Sequence, residues 1–206
     1  MAVTVIHEAK DAAVLIVAFL SMLLAAQEAA PSAYPVAEVL SAARQSCARD
    51  FLPSANVTGT QWQPFRPEPG SWPARLLSEY DRAGGMNVTG RAYRATVAGR
   101  ELVAVVREIG FTFAPDAPPI FNCEVFDRSA EGIDQAAVRR WARARARRWL
   151  KLPGGGFVGQ WEPGLSRGAE ETTVRLDLPS ADAGEDNLRS GLSFTANGAL
   201  RRRRRH

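Results

Sequence analysis

The chain has 206 residues, 46% of them hydrophobic, with a formal net charge of +4 and a pI near 9.6. That length supports one domain with a real core. Its only histidines are His7 and His206, so the body has no histidine for Ser-His-Asp or Cys-His catalysis, metal ligation or proton shuttling.

The first feature along the chain is an uncharged apolar run, Ala12 to Ala26, of 15 residues. A membrane-spanning helix needs ~20 such residues; this length suits the apolar core of a secretory signal. The small residues Ala25, Ala26, Ala29 and Ala30 follow, although no clean A-x-A pair ends the run. Residues 1–30 are therefore expected to be a signal peptide. An uncleaved membrane anchor and a buried helix of a soluble domain are the alternatives. Lysine occurs only at positions 10 and 151, against many arginines, which reads as bacterial codon bias.

Residues 31–200 are expected to form a single α+β domain. Its sheet should be mostly antiparallel, with about five to six strands packed by two to three helices. Val36, Leu40, Ala43 and Cys47 recur at 4-3-4 spacing, which predicts a helix over 36–49 with Cys47 on its buried face. A proline- and tryptophan-rich connection, 53–70, follows. Ser71 and Pro73 open a second helix expected to reach Ala83 before Gly84-Gly85. Residues 87–97 and 101–108 predict a hairpin turning at Ala98-Gly99. A further strand, 121–127, places Phe121, Cys123 and Val125 on one face.

A long helix is expected over 129–150. Trp141 and Trp149 fall on its apolar stripe and Arg139, Arg140, Arg143 and Arg147 on the other, with Arg145 anomalous on the apolar side. Pro153 and Gly154 to Gly156 read as its stop. Strands over 157–161, 172–178 and 191–195 complete the domain. No internal repeat is visible in the sequence.

Charge is polarised. Residues 134–151 carry +6 and residues 152–200 carry −4. The tail Arg201, Arg202, Arg203, Arg204 and Arg205 contributes +5 and the leader −1, so residues 27–200 are neutral. The tail 201–206 reads as a disordered Arg-rich segment. With Arg139, Arg140, Arg143 and Arg147 it is a candidate for adhesion to an anionic surface. The default reading is a solvated basic helix face partly neutralised by the acidic segment.

The two cysteines, Cys47 and Cys123, both point inward in this reading. In an exported chain they are expected to form a helix-to-sheet disulfide; the alternative is two buried thiols that never meet. Neither belongs to a metal-binding spacing. Among possible chemistries, only a carboxylate pair stays open, with Glu79, Asp81, Glu101, Glu108 and Asp116 as candidates. Gly154 to Gly156 lacks the phosphate-loop pattern. Asp182, Glu185, Asp186 and Asn187 do not match a calcium loop. Trp62, Phe65 and Trp72 could form an aromatic platform for a sugar or peptide if exposed, or core if packed inward.

The sequence thus points to an exported bacterial envelope protein, periplasmic or secreted, with a non-catalytic binding or structural role and no cofactor or metal. Its expected partner is an anionic envelope surface or another envelope protein. One alternative is a carboxylate-dependent enzyme acting on a glycan or cell-wall polymer. A second is an intracellular nucleic-acid binder using the basic helix 134–151 and the arginine tail, which the neutral body disfavours.

Overall fold

In a computed structural model, the structure describes residues 33–47, 61–79, 85–178 and 190–199. The leader, Asp81, the acidic loop at 182–187 and the arginine tail lie outside the described residues. Among the described residues there are three α-helices and eight strands: α1 Val36–Ser46, β1 Gln63–Phe65, α2 Trp72–Leu77, β2 Met86–Val97, β3 Arg100–Phe111, β4 Ile120–Asp127, α3 Gln135–Ala142, β5 Arg148–Lys151, β6 Phe157–Trp161, β7 Glu171–Asp177 and β8 Gly191–Ala199.

All eight strands pair antiparallel in one sheet of order β1-β2-β3-β4-β8-β7-β6-β5. The α+β expectation holds, but the sheet has eight strands rather than five to six. The two additions are its edges. β1 is three residues with a central proline, and β5 lies inside the segment read as helix.

The order also repeats an arrangement that the residues themselves do not. A helix, a short edge strand, a short helical turn and a three-strand meander run from α1 to β4, and again from α3 to β8, where the turn is the 3₁₀ segment Pro153–Gly155. The last strands of the two halves, β4 and β8, meet at the centre.

Alternation along each strand separates two faces. One carries Tyr93, Ala104, Val125, Phe194 and Val174 in a single rung across the sheet, and all are buried. Helices α1 and α3 cover this face, burying Leu40, Ala43, Val138 and Ala142 against it. On the other face, α2 packs Leu76 against Val105 and Phe126, with Trp72 edge-on to Phe126 at 5.3 Å. Beyond α2, Thr195, Thr173 and Gln160 continue the rung toward β5 as half-buried polar side chains. An antiparallel sheet tolerates one wetted face in this way.

The β2–β3 hairpin turns where the sequence indicates. Ala98 and Gly99 both have positive φ, 48° and 77°, as a two-residue hairpin turn requires.

The predicted long helix 129–150 is corrected. Asp134 caps α3 by accepting a 2.5 Å hydrogen bond from the Ala137 N–H, and after only eight residues the helix is closed by Arg143, in the left-handed region. From Arg148 the chain turns into strand. Trp149 then alternates inward, packing on Trp161 and Phe157 at centroid distances of 5.5 and 5.7 Å, while Leu150 points outward. Sheet pairing and burial of an indole outweigh the helix preference of an Ala/Arg-rich run. Arg145 is no anomaly in the observed structure: it is exposed in the bend between α3 and β5. The helix begun at Ser71 is likewise shorter than expected, ending at Leu77.

Gly159 is where the indoles cross the sheet. A Cβ there would lie 2.8 Å from both Trp149 and Trp161, so only glycine leaves room for both.

Candidate functional site

Helix α1 is fastened at four points, to β4, to the residue before β1, to α3 and to the β6–β7 loop. Cys47, just past its end, is bonded to Cys123 in the middle of β4, with Cα atoms 5.4 Å apart and both residues fully buried. Trp62 Nε1 donates to Ser46 Oγ at 2.6 Å, Trp141 Nε1 to Ser41 Oγ at 3.0 Å, and Ser166 Oγ to the Arg44 carbonyl at 2.8 Å. The helix-to-sheet disulfide expected from the cysteines is therefore present. Such a bridge fits an oxidising, extracytoplasmic compartment.

Just before α1, Tyr34 reaches a polar cluster around Asp127 at the end of β4. The buried carboxylate accepts from Tyr34 Oη at 2.9 Å, Arg100 Nε at 2.8 Å and the Ser129 N–H and Oγ at 3.0 and 2.9 Å. The Arg100 guanidinium also lies 5.2 Å from the centre of the Tyr34 ring. Burial, followed by the Asp127 charge and hydrogen bond, pushes the Tyr34 phenol far above its ordinary value. The hydrogen bond to Asp127 likewise raises Arg100. Each charge is answered, so the cluster clamps the chain entry to the hairpin and β4.

A second buried group lies on the α2 face. Arg107 of β3 is wholly buried, its Nη2 2.5 Å from Glu124 of β4 and its Nη1 3.9 Å from Glu79 after α2. Beside it Asn122 donates to Asn197 across the β4–β8 junction at 2.8 Å. The Arg107 guanidinium thus engages both Glu79 and Glu124. Glu101 and Glu108 are exposed on opposite faces of β3, and Asp116 is exposed in the following loop. Among the described residues, no two of the candidate acids face each other across an open cleft. No group of three or more His, Cys, Asp or Glu is placed to hold a metal ion among the described residues.

The three aromatics considered as a platform are split. Trp62 is 5% exposed and belongs to the main core. Phe65 is half-buried on edge strand β1, with the Arg94 guanidinium 5.8 Å from its ring centre. Trp72 packs on Phe126 beneath the Arg128 guanidinium. Trp62 and Phe65 do share one feature: a groove of about 680 Å³ at the β1–β2 edge. Its lining includes Pro64, Phe65, Pro67, Leu77 and Ala92, together with the exposed Arg66 and Arg91.

The arginines of the basic segment are divided between two elements. Arg139 and Arg140 end α3, Arg143 caps it, Arg145 and Arg147 occupy the bend, and Arg148 and Lys151 belong to β5. Arg139 stacks over Trp149 with its guanidinium carbon 4.8 Å from the ring centre. Arg147 pairs with Glu162.

Sequence reading missed Arg107, Glu124, Tyr34, Arg100 and Asp127. The one signal for Arg107 was its place in a valine-rich strand, at a position whose alternation partners Val103 and Val105 face α2.

Fold and site define a disulfide-linked α+β domain whose sheet is covered by α1 and α3 on one face and partly by α2 on the other. No protein-family model, curated protein or solved structure matches the chain. No helix among the described residues is long and apolar enough to cross a membrane.

Proposed function

We propose that this protein is an exported, non-catalytic binding module of the bacterial envelope, engaging an acidic, apolar segment of another envelope protein through the β1–β2 edge groove. The observation that carries the reading is the groove itself, a largely apolar concavity lined by proline and aromatic side chains together with two exposed arginines, Arg66 and Arg91. Apolar pockets with a few convergent polar groups are the usual form of a binding site. The two arginines select for negative charge beside the buried apolar anchor. The acids Glu79 and Glu124 are engaged by Arg107, which favours binding over carboxylate catalysis. The buried Cys47–Cys123 bridge supports a site of action outside the reducing cytoplasm.

Two measurements test the proposal. Intact mass of the protein from its native host, before and after alkylation under non-reducing and reducing conditions, should show a chain cleaved near residues 26–31 and lighter by two hydrogens. A full-length chain with two alkylatable thiols overturns the export reading. For the groove, the probe is anilinonaphthalene sulfonate, an apolar ring system with one anionic group. It should bind in a one-to-one complex that Phe65→Ser and the double variant Arg66→Glu/Arg91→Glu each weaken about tenfold. Binding that ignores both variants overturns the groove as the site.

A further inference from the structure

We propose that the rim of the sheet formed by the end of α3 and strand β5 is a docking surface for an anionic phospholipid bilayer. The inference stands apart from the groove, at the opposite edge of the sheet.

The sequence alone predicts one basic helix face partly neutralised by the acidic segment after it. The structure instead divides the basic residues among α3, a bend and β5. Of the seven cations between positions 139 and 151, only Arg147 forms an ion pair among the described residues, with Glu162. Among the described residues, the acids after Glu162 have other neighbours. Asp177 pairs with Arg175 on the α2 face, and Glu171 accepts from Thr173. Glu170 borders a separate hollow with Arg147 and Glu162. What remains is an exposed cationic rim. At its centre Arg139, Arg145 and Arg147 converge with Trp149 and the small Ala144 and Ala146 around a cavity of about 440 Å³, wide enough for a phosphate headgroup.

A second, independent feature points to a bilayer rather than a soluble polyanion. Leu150 is one of only two exposed large hydrophobic residues among those described, at 45% exposure. It sits on the outermost strand between Arg148 and Lys151. An apolar side chain flanked by cations on a projecting edge can enter the acyl boundary while its neighbours hold the headgroups. A soluble polyanion gains nothing from it. Each cation near an anionic membrane surface strengthens binding about fivefold, and salt screens the effect.

The test uses the full chain and sedimentation with vesicles of phosphatidylglycerol mixed with phosphatidylcholine, against phosphatidylcholine alone. The proposal expects salt-sensitive binding to the mixed vesicles only. Arg139→Glu/Arg145→Glu should lower it by at least ~25-fold. Leu150→Ser should lower it about tenfold while leaving retention on immobilised heparin unchanged. Both variants should keep the wild-type urea midpoint; Arg145→Glu/Arg148→Glu replaces the first if loss of the Arg139 stack on Trp149 lowers it. The same losses should appear in a chain lacking residues 201–206, since the arginine tail is a separate source of charge.

Equal binding to neutral vesicles overturns the proposal, as does binding that survives the charge reversals. Binding abolished by tail deletion alone also overturns it. So does vesicle binding indifferent to Leu150→Ser, or tighter binding to heparin or duplex DNA than to the vesicles; each assigns the rim to a soluble polyanion.

Discussion

Removing the Cys47–Cys123 bridge should cost a large share, about a third or more, of the stability a domain of this size holds. The bond joins residues 76 apart in sequence. Closing a loop of that length in the unfolded chain is worth about 4.5 kcal/mol at room temperature in the chain-entropy treatment. Domain stabilities run at roughly 5–15 kcal/mol. Both sulfurs are buried where α1 crosses the centre of the sheet, so the bond also pins the layer that covers the main core. The measurement is urea unfolding of the oxidised protein, of the reduced protein and of Cys47→Ala/Cys123→Ala, followed by tryptophan fluorescence. With a slope of about 2 kcal/mol/M, the midpoint should fall by about 2 M on reduction. The slope should rise, because the uncrosslinked unfolded chain exposes more surface. A reduced protein whose midpoint lies within about 0.5 M of the oxidised one would refute the reasoning. It would show that the four-point attachment of α1 does not depend on the covalent one.

Two further outcomes follow from the buried polar groups. Arg107→Met should destabilise by about 3–5 kcal/mol, since it strands Glu124 in the core without its guanidinium. Arg107→Met/Glu124→Leu should recover most of that loss in the same denaturation assay, and a double variant as unstable as the single one would contradict the pairing. The Tyr34 phenol is held protonated in the fold, above its ordinary value of 10.0. A group raised on folding lends its stability in full below the unfolded value and loses it as pH rises beyond that value. Unfolding midpoints should therefore fall as pH rises above about 10, and Tyr34→Phe should flatten that fall. An unchanged alkaline slope in the variant would remove Tyr34 as its source.

The interior of the sheet was legible in the sequence because its side chains alternate cleanly. β7 reads Val174 and Leu176 inward against Arg175 outward, and the turn at Ala98-Gly99 could be placed from two residues. The edges were not legible, for opposite reasons. β1 is too short to carry a period, and its central proline argues against a strand anywhere except an edge. β5 was masked by neighbours with strong helix preference. The clue was present: Trp149 and Leu150 before Pro153-Gly154-Gly155, then Phe157 and Trp161, make two apolar runs about a glycine-rich turn. Of the candidate sites, the disulfide followed from inward-facing periodicity. The arginines of the basic rim were visible in the sequence, but which of them pair was not, because that depends on where Glu162, Glu171 and Asp177 end up after the sheet forms. The Arg107 and Asp127 clusters join residues 17 and 93 positions apart from their partners, beyond what local pattern can show.

The sheet order has a temporal consequence. β4 and β8 are central neighbours, yet β8 is the last strand described, more than sixty residues after β4 ends. Until residues 191–199 have emerged, β4 presents an open inner edge, and Phe194 and Ala196 are missing from beneath α1 and α3. Pairing over so long a separation makes the chain slow to close. A chain translocated from its N-terminal end would thus pass most of its length before the sheet could zip shut. It would stay threadable while it moves and acquire its fold, and its sulfur bridge, on arrival.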